Sequence, residues 1–148
     1  MMDINLMVKE ANIVGLDNGI IIRTENELPD FSSFPKSFVG NNIEYDIAYW
    51  RKCYGIRSNI LAIYRANHHI ETKNVFQFAL DVNDLKDIQW FLHQCAISEN
   101  YFNDQANSIW DYKELKPSLE TQVKNLELVI TQKLKLGDGL KVYFYDSY

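Results

Sequence analysis

The chain predicts an α+β domain in which about three helices, two of them long, pack on a small, mostly antiparallel sheet. Three observations carry that prediction. Apolar residues recur at helical spacing over 44–66, from Leu85 to Cys95 and from Leu119 to Leu134. They alternate at strand spacing near 76–81 and again after Leu140, and Asp17-Asn18-Gly19 stands between β-branched runs. With 148 residues, 47% hydrophobic and 24% charged, the chain is expected to form a single domain over 1–148 with a sizeable core.

The elements follow in order. Ile13-Val14 and Ile20-Ile21-Ile22 flank Asp17-Asn18-Gly19, so 11–24 reads as a hairpin whose turn uses the tolerance of Asn and Gly for positive φ. Residues 25–43 are rich in Pro, Ser and Asn and read as a long loop, pinned to the core by Phe31, Phe34 and Phe38. Over 44–66, a helical projection puts Tyr49, Trp50, Cys53, Tyr54, Ile56, Ile60, Leu61, Ile63 and Tyr64 on one broad face. Arg51, Lys52, Ser58, Asn59 and Arg65 fall on the other, as a solvated face. Phe76, Phe78 and Leu80 then alternate with Gln77 and Ala79 in a strand, and Asn83-Asp84 caps a helix bearing Leu85, Ile88, Phe91, Leu92 and Cys95.

Residues 98–112 are polar and aromatic, predicting a loop with a helical turn. Asp111 and Glu114 form a capping-box pattern, while Pro117 limits a helix starting there, so the next helix is expected from Pro117 to about Leu136. Gly137-Asp138-Gly139 ends it, and Leu140, Val142 and Phe144 alternate with Lys141, Tyr143 and Tyr145 in a closing strand. Neither an internal repeat nor a domain boundary is visible.

Composition narrows the function. A net charge of −5 argues against general nucleic-acid binding, which needs Lys and Arg in excess. Nine Tyr, eight Phe and three Trp bring large apolar areas with polar handles, suited to cores and protein interfaces alike. Cys53 and Cys95 stand far apart on apolar faces and read as buried thiols in a reducing cytoplasm. No run is apolar enough to span a bilayer, and the first residues lack a signal-peptide pattern, so neither a membrane nor secretion is expected.

Catalytic and metal motifs are missing from the pattern. His68, His69, His93 and the two cysteines have no ligand spacing, so no metal is expected. GxSxG, Walker, GxGxxG and HExxH motifs are absent, and no cofactor is expected. One physical anomaly stands out. Arg57 lies on the apolar arc between Trp50, Cys53, Tyr54 and Tyr64, and a buried guanidinium requires a partner. Asp46 is roughly 16 Å away along a helix, so Asp17, Asp81 and Asp146 are the candidates. The functional form of this reading is a pocket of Trp50, Tyr54, Arg57, Tyr143 and Tyr145 that binds a partner or an anionic group.

Several ordered motifs carry a resemblance. Gly15-Leu16-Asp17 leading into a strand, YWRKCYGIRSNIL, SENYFND, NSIWDY and the closing VYFYDSY together resemble a family of small phage and prophage proteins. Those proteins typically open on a Met-Gly-Leu-Asp strand, carry a Tyr-Trp-Arg-Lys helix and end in an aromatic strand, with no assigned activity. The likeness covers about residues 14 to 148, and Asp17, Trp50, Arg51 and Lys52 are the matched motif positions. The chain departs from the pattern in two places: residues 1–13 form an N-terminal extension, and Ile56-Arg57 stands where the family often has Ile-His. The resemblance implies an accessory protein of the bacterial host cytoplasm that acts by binding a host protein, such as a defence component, or itself. A small anionic metabolite or nucleotide bound at Arg57 is the alternative reading, and a small enzyme of unknown reaction the third.

Overall fold

The computed structural model describes residues 17–70 and 77–147. Its strands are β1 (Asp17–Thr24), β2 (Lys36–Val39), β3 (Asn42–Arg51), β4 (Gln77–Ala79) and β5 (Lys141–Ser147). Its helices are α1 (Tyr54–His68), α2 (Val82–Ile97), α3 (Glu99–Gln105) and α4 (Tyr112–Leu136). The strands form one antiparallel sheet in the order β2-β3-β1-β5-β4, and the fold is α+β.

The sheet buries one face. Ile20 and Ile22 of β1, Val142 and Phe144 of β5 and Tyr45 and Trp50 of β3 point into a core completed by Ile56, Ile60, Leu85, Ile88, Leu92, Leu119 and Leu126 of the helices. The ring of Tyr64 on α1 lies 3.9 Å from that of Phe78, which stacks on Phe144 at 5.1 Å, so α1 is bound to the far edge of the sheet.

The largest departure from the sequence reading is over 44–51. This stretch is strand, and the helix begins only at Tyr54. The cause is a β-bulge. The register steps from Ile20↔Ala48 to Ile21↔Asp46, leaving Ile47 as an extra residue. Buried positions therefore run Ile43, Tyr45, Ile47, Ala48 and Trp50, a pattern that breaks strand alternation and imitates a helical arc. Lys52, at φ 56°, then turns the chain into α1.

Asp17-Asn18-Gly19 is not a turn. These are the opening residues of β1, paired with Arg51–Tyr49 on one side and Ser147–Tyr145 on the other. Gly19 is needed for closeness rather than for φ: a Cβ there would meet the carbonyl of Ala48 and lie 2.8 Å from the Tyr145 ring. The Ile13-Val14 arm of the expected hairpin, the extension 1–13 and Phe76 lie outside the described residues.

The segment 25–43 contains a 3₁₀ turn (Pro29–Phe31) and β2, so it is not one loop. Phe31 is buried against Phe34 and Tyr45, whereas Phe38 is 70% exposed and pins nothing. The cap of α2 is Asp81, not Asn83-Asp84. Its Oδ1 accepts from the Asp84 N–H at 2.9 Å, while Asp84 Oδ2 accepts from the Asp81 N–H at 2.9 Å. Residues 99–105 form a helix in their own right.

The capping box of Asp111 and Glu114 does open α4, which runs through Pro117 instead of starting there. The amide that Pro117 lacks would have met the Lys113 carbonyl, on an exposed turn of the helix.

Candidate functional site

The helices pack on one face of the sheet, and the other face is covered by no described helix. By strand alternation it carries Asp17, Gly19, Ile21 and Arg23 from β1. Beside them lie Arg51, Tyr49, Asp46 and Glu44 of β3 and Tyr145, Tyr143 and Lys141 of β5.

These side chains hold one another in place. At one end Asp17 Oδ1 accepts from the Tyr49 hydroxyl at 2.6 Å and from Arg51 Nη1 at 3.0 Å. At the other, Arg23 donates from Nε to Glu44 Oε2 at 2.8 Å and from Nη2 to Gln77 Oε1 at 3.2 Å. The Arg23 guanidinium also lies 5.0 Å over the ring of Tyr143. Between the two clusters Tyr145 lies across Gly19.

The electrostatics follow from that layout. Burial, reinforced by Asp46, Tyr49, Asp17 and Glu44, pushes the Tyr145 phenol up to about 12. The hydrogen bond to Asp17 raises Tyr49 as well. Desolvation, with Glu44 nearby, raises the Asp46 carboxyl, to which no described side chain is hydrogen-bonded or ion-paired. The face thus sets its tyrosines among paired charges, Asp17 with Arg51 and Glu44 with Arg23, and leaves the Asp46 carboxyl without a bonded partner among the described side chains.

Beside this face, where β3 passes α4, is a groove of about 550 Å³ lined by Phe34, Pro35, Asp46, Ile47, Pro117 and Thr121 among others. It lies along the edge of β3 beyond the end of β2.

The residues singled out in the sequence are divided by the sheet. Trp50 is 2% exposed in the core, its Nε1 donating to Gln122 Oε1 at 2.9 Å. Tyr54 opens α1 and is half-buried. Arg57 pairs with Asp146, Nε and Nη2 reaching Oδ2 at 2.7 and 2.6 Å. Of the other acids considered for it, Asp17 serves Arg51 and Asp81 caps α2. Tyr143 and Tyr145 belong to the opposite face, so the five residues line no common pocket. Lys52 and Arg51 lie at the strand end, and Arg51 is tied to Asp17 rather than merely solvated.

The helical reading of 44–51 hides the grouping of Tyr49, Glu44 and Asp46 with Arg23. Their signal was present: Glu44, Asp46, Tyr49 and Arg51 are the polar alternates of Ile43, Tyr45, Ile47 and Trp50.

A second cluster joins α1 to α2. His68 Nε2 lies 2.8 Å from Asp84 Oδ2 and 3.7 Å from Asp81 Oδ2. Asn67 Nδ2 donates to Asp84 Oδ1 at 2.9 Å. The three ligand atoms lie within 4.8 Å of one another, close enough to hold a cation. The fully buried Asp84 carboxylate is already supplied by Asn67, His68 and the Asp81 N–H, so the cluster works as a hydrogen-bonded clasp as it stands. Cys53 and Cys95 are buried free thiols, raised by desolvation, Cys95 to about 12; both are therefore protonated and poor nucleophiles. Among the described residues no helix is long and apolar enough to cross a membrane.

Comparison with known proteins finds no matching family model, curated protein or solved structure.

Proposed function

We propose that the chain acts by binding another protein through the open face of its sheet. The supporting observation is the composition of that face: Tyr49, Tyr143 and Tyr145 interleave with Arg23, Arg51, Asp17 and Glu44, and no described helix covers them. Tyrosine and arginine are the side chains that concentrate binding energy at interfaces. Here they are held in position before any partner arrives, by the Asp17–Tyr49–Arg51 and Glu44–Arg23–Tyr143 contacts. That lowers the ordering cost of association.

In the form suggested by the resemblance to small phage proteins, the partner is a host protein, such as a defence component, met in the bacterial cytoplasm. The alternative of an anionic ligand at Arg57 has less support, since Asp146 already occupies that guanidinium and Trp50 is sealed in the core.

The test is capture from bacterial lysate by the wild type beside Tyr49→Ser and Tyr143→Ser, each with its thermal midpoint checked against the wild type. Each variant is expected to weaken capture of a partner about tenfold or more. A partner retained equally by both folded variants would move the site off this face.

A further inference from the structure

We propose that the outer edge of β3, over Ile47 to Arg51, takes up an extended peptide segment of the partner as an additional strand, with a Lys or Arg of that segment set against Asp46. This rests on the protein-binding reading above and gives the partner a form.

The edge is open because β2 is short. β2 pairs with β3 only over Asn42–Tyr45, and the last bond in that line is the Asp46 N–H donating to the Pro35 carbonyl at 2.8 Å. Phe34 and Pro35 then lead away toward the 3₁₀ turn, while β3 continues to Arg51 with no described strand beside it.

Side chains stand in for the strand that is not there. Asn125 Nδ2 donates to the Ile47 carbonyl at 3.0 Å, and Trp110 Nε1 to the Arg51 carbonyl at 2.8 Å. Gln122 Nε2 reaches the Tyr49 carbonyl only at 3.5 Å, the outer limit for such a bond, and its Oε1 is already taken by Trp50. In an antiparallel ladder the N–H and C=O of one residue point to the same side, so the Tyr49 N–H faces the groove with its carbonyl. Tyr49 thus offers an incoming strand a complete rung with little to displace.

The groove supplies the remainder of a recognition site. Its volume of about 550 Å³ lies within the range of ligand pockets, and Phe34, Pro35, Pro117 and Thr121 form walls for alternate side chains of an extended chain. Charge selects the occupant. Asp46 lines the groove, is exposed, has Glu44 two residues away and has no bonded partner among the described side chains. The chain as a whole carries −5, so a basic segment is favoured both in approach and in place. Asn125 and Trp110 also guard the edge against indiscriminate pairing, and a partner must replace their bonds with its own.

The experiment selects binders from a displayed random-peptide library on the full chain. The most enriched synthetic peptide is then measured by ¹⁵N NMR and titration. Enriched sequences should alternate apolar residues with a Lys or Arg, and the amides of Tyr49 and Arg51 should shift and exchange more slowly. Ser118→Trp, which fills the groove from its exposed wall, should weaken binding about tenfold or more. Asp46→Lys should turn the preference toward acidic peptides.

Peptides that shift the β5 amides of Tyr143 and Tyr145 and ignore Ser118→Trp would overturn the edge assignment while leaving the protein-binding reading intact. So would a library that yields nothing while the lysate partner still depends on Tyr143. Enrichment without basic residues would overturn the role of Asp46. A concentration-dependent dimer abolished by Ser118→Trp would replace the partner's segment with a second copy of this chain.

Discussion

Arg57 shows how one side chain connects helix to sheet. Both of its contacts fall on Asp146 Oδ2, with Arg57 24% and Asp146 4% exposed, while Oδ1 is buried with no hydrogen-bond partner among the described residues. Removing the guanidinium leaves a carboxylate buried and uncompensated, which costs more than the pair itself contributes. Arg57→Met is therefore expected to destabilise the fold by about 3 kcal/mol at neutral pH. The double variant Arg57→Met with Asp146→Leu should recover part of that loss, read from urea midpoints in a double-mutant cycle. Strict additivity would show that the two groups are not coupled. The sequence made Arg57 conspicuous, because a cation on an apolar arc needs a partner, but three acids could serve. Only strand order decided, placing β5 beside β1 with Asp146 facing the core.

At the scale of elements, the start of α1 is fastened to the end of α3. A Cβ on Gly55 would collide with the backbone carbonyls of Ala106 and Gln105, and Asn59 Nδ2 bonds to the Gly55 and Gln105 carbonyls at 2.8 and 3.2 Å. Alanine is the better helix former by about 1 kcal/mol, yet the collision involves backbone that has no rotamer to yield. Gly55→Ala is expected to lower stability by about 3 kcal/mol or more, against about 1 kcal/mol of gain were the position open. Equal or raised thermal stability would mean that the helices part easily there. Long elements with one clean period were legible in advance. The stripe from Leu119 to Ile130, the Asp111–Glu114 box and the alternation after Leu140 all follow from the sequence, since each depends on neighbours within a few residues, whereas Leu134, expected to continue the stripe, is 63% exposed. The strand over 44–51 does not follow, since the bulge at Ile47 exists only in register with β1.

For the molecule as a whole, burial, and at Tyr49 first of all the hydrogen bond to Asp17, raises several weak acids. Tyr145 and Cys95 are pushed to about 12, and Tyr49, Tyr64, Tyr101 and Cys53 are raised as well. A group with a raised folded pKa contributes stability that is whole below its unfolded pKa and disappears as pH climbs through the folded one. The urea midpoint should therefore fall steadily between about pH 9 and 12. Tyr145→Phe should flatten part of that decline without altering the neutral plateau by much. An unchanged alkaline slope would indicate that the phenol is hydrated in the native state.

What the amino-acid sequence determined by itself is the α+β class, the helices that carry residues 85–95 and 119–130, the closing strand and a net charge of −5. These depend on composition and short-range period. The tertiary structure alone decided that Tyr49 and Trp50 face opposite ways, that Asp17, Arg23, Glu44, Tyr143 and Tyr145 share an open face, and that β3 outruns β2 beside α4. Those facts depend on register and strand order, which are settled by residues far apart in the chain meeting across the sheet.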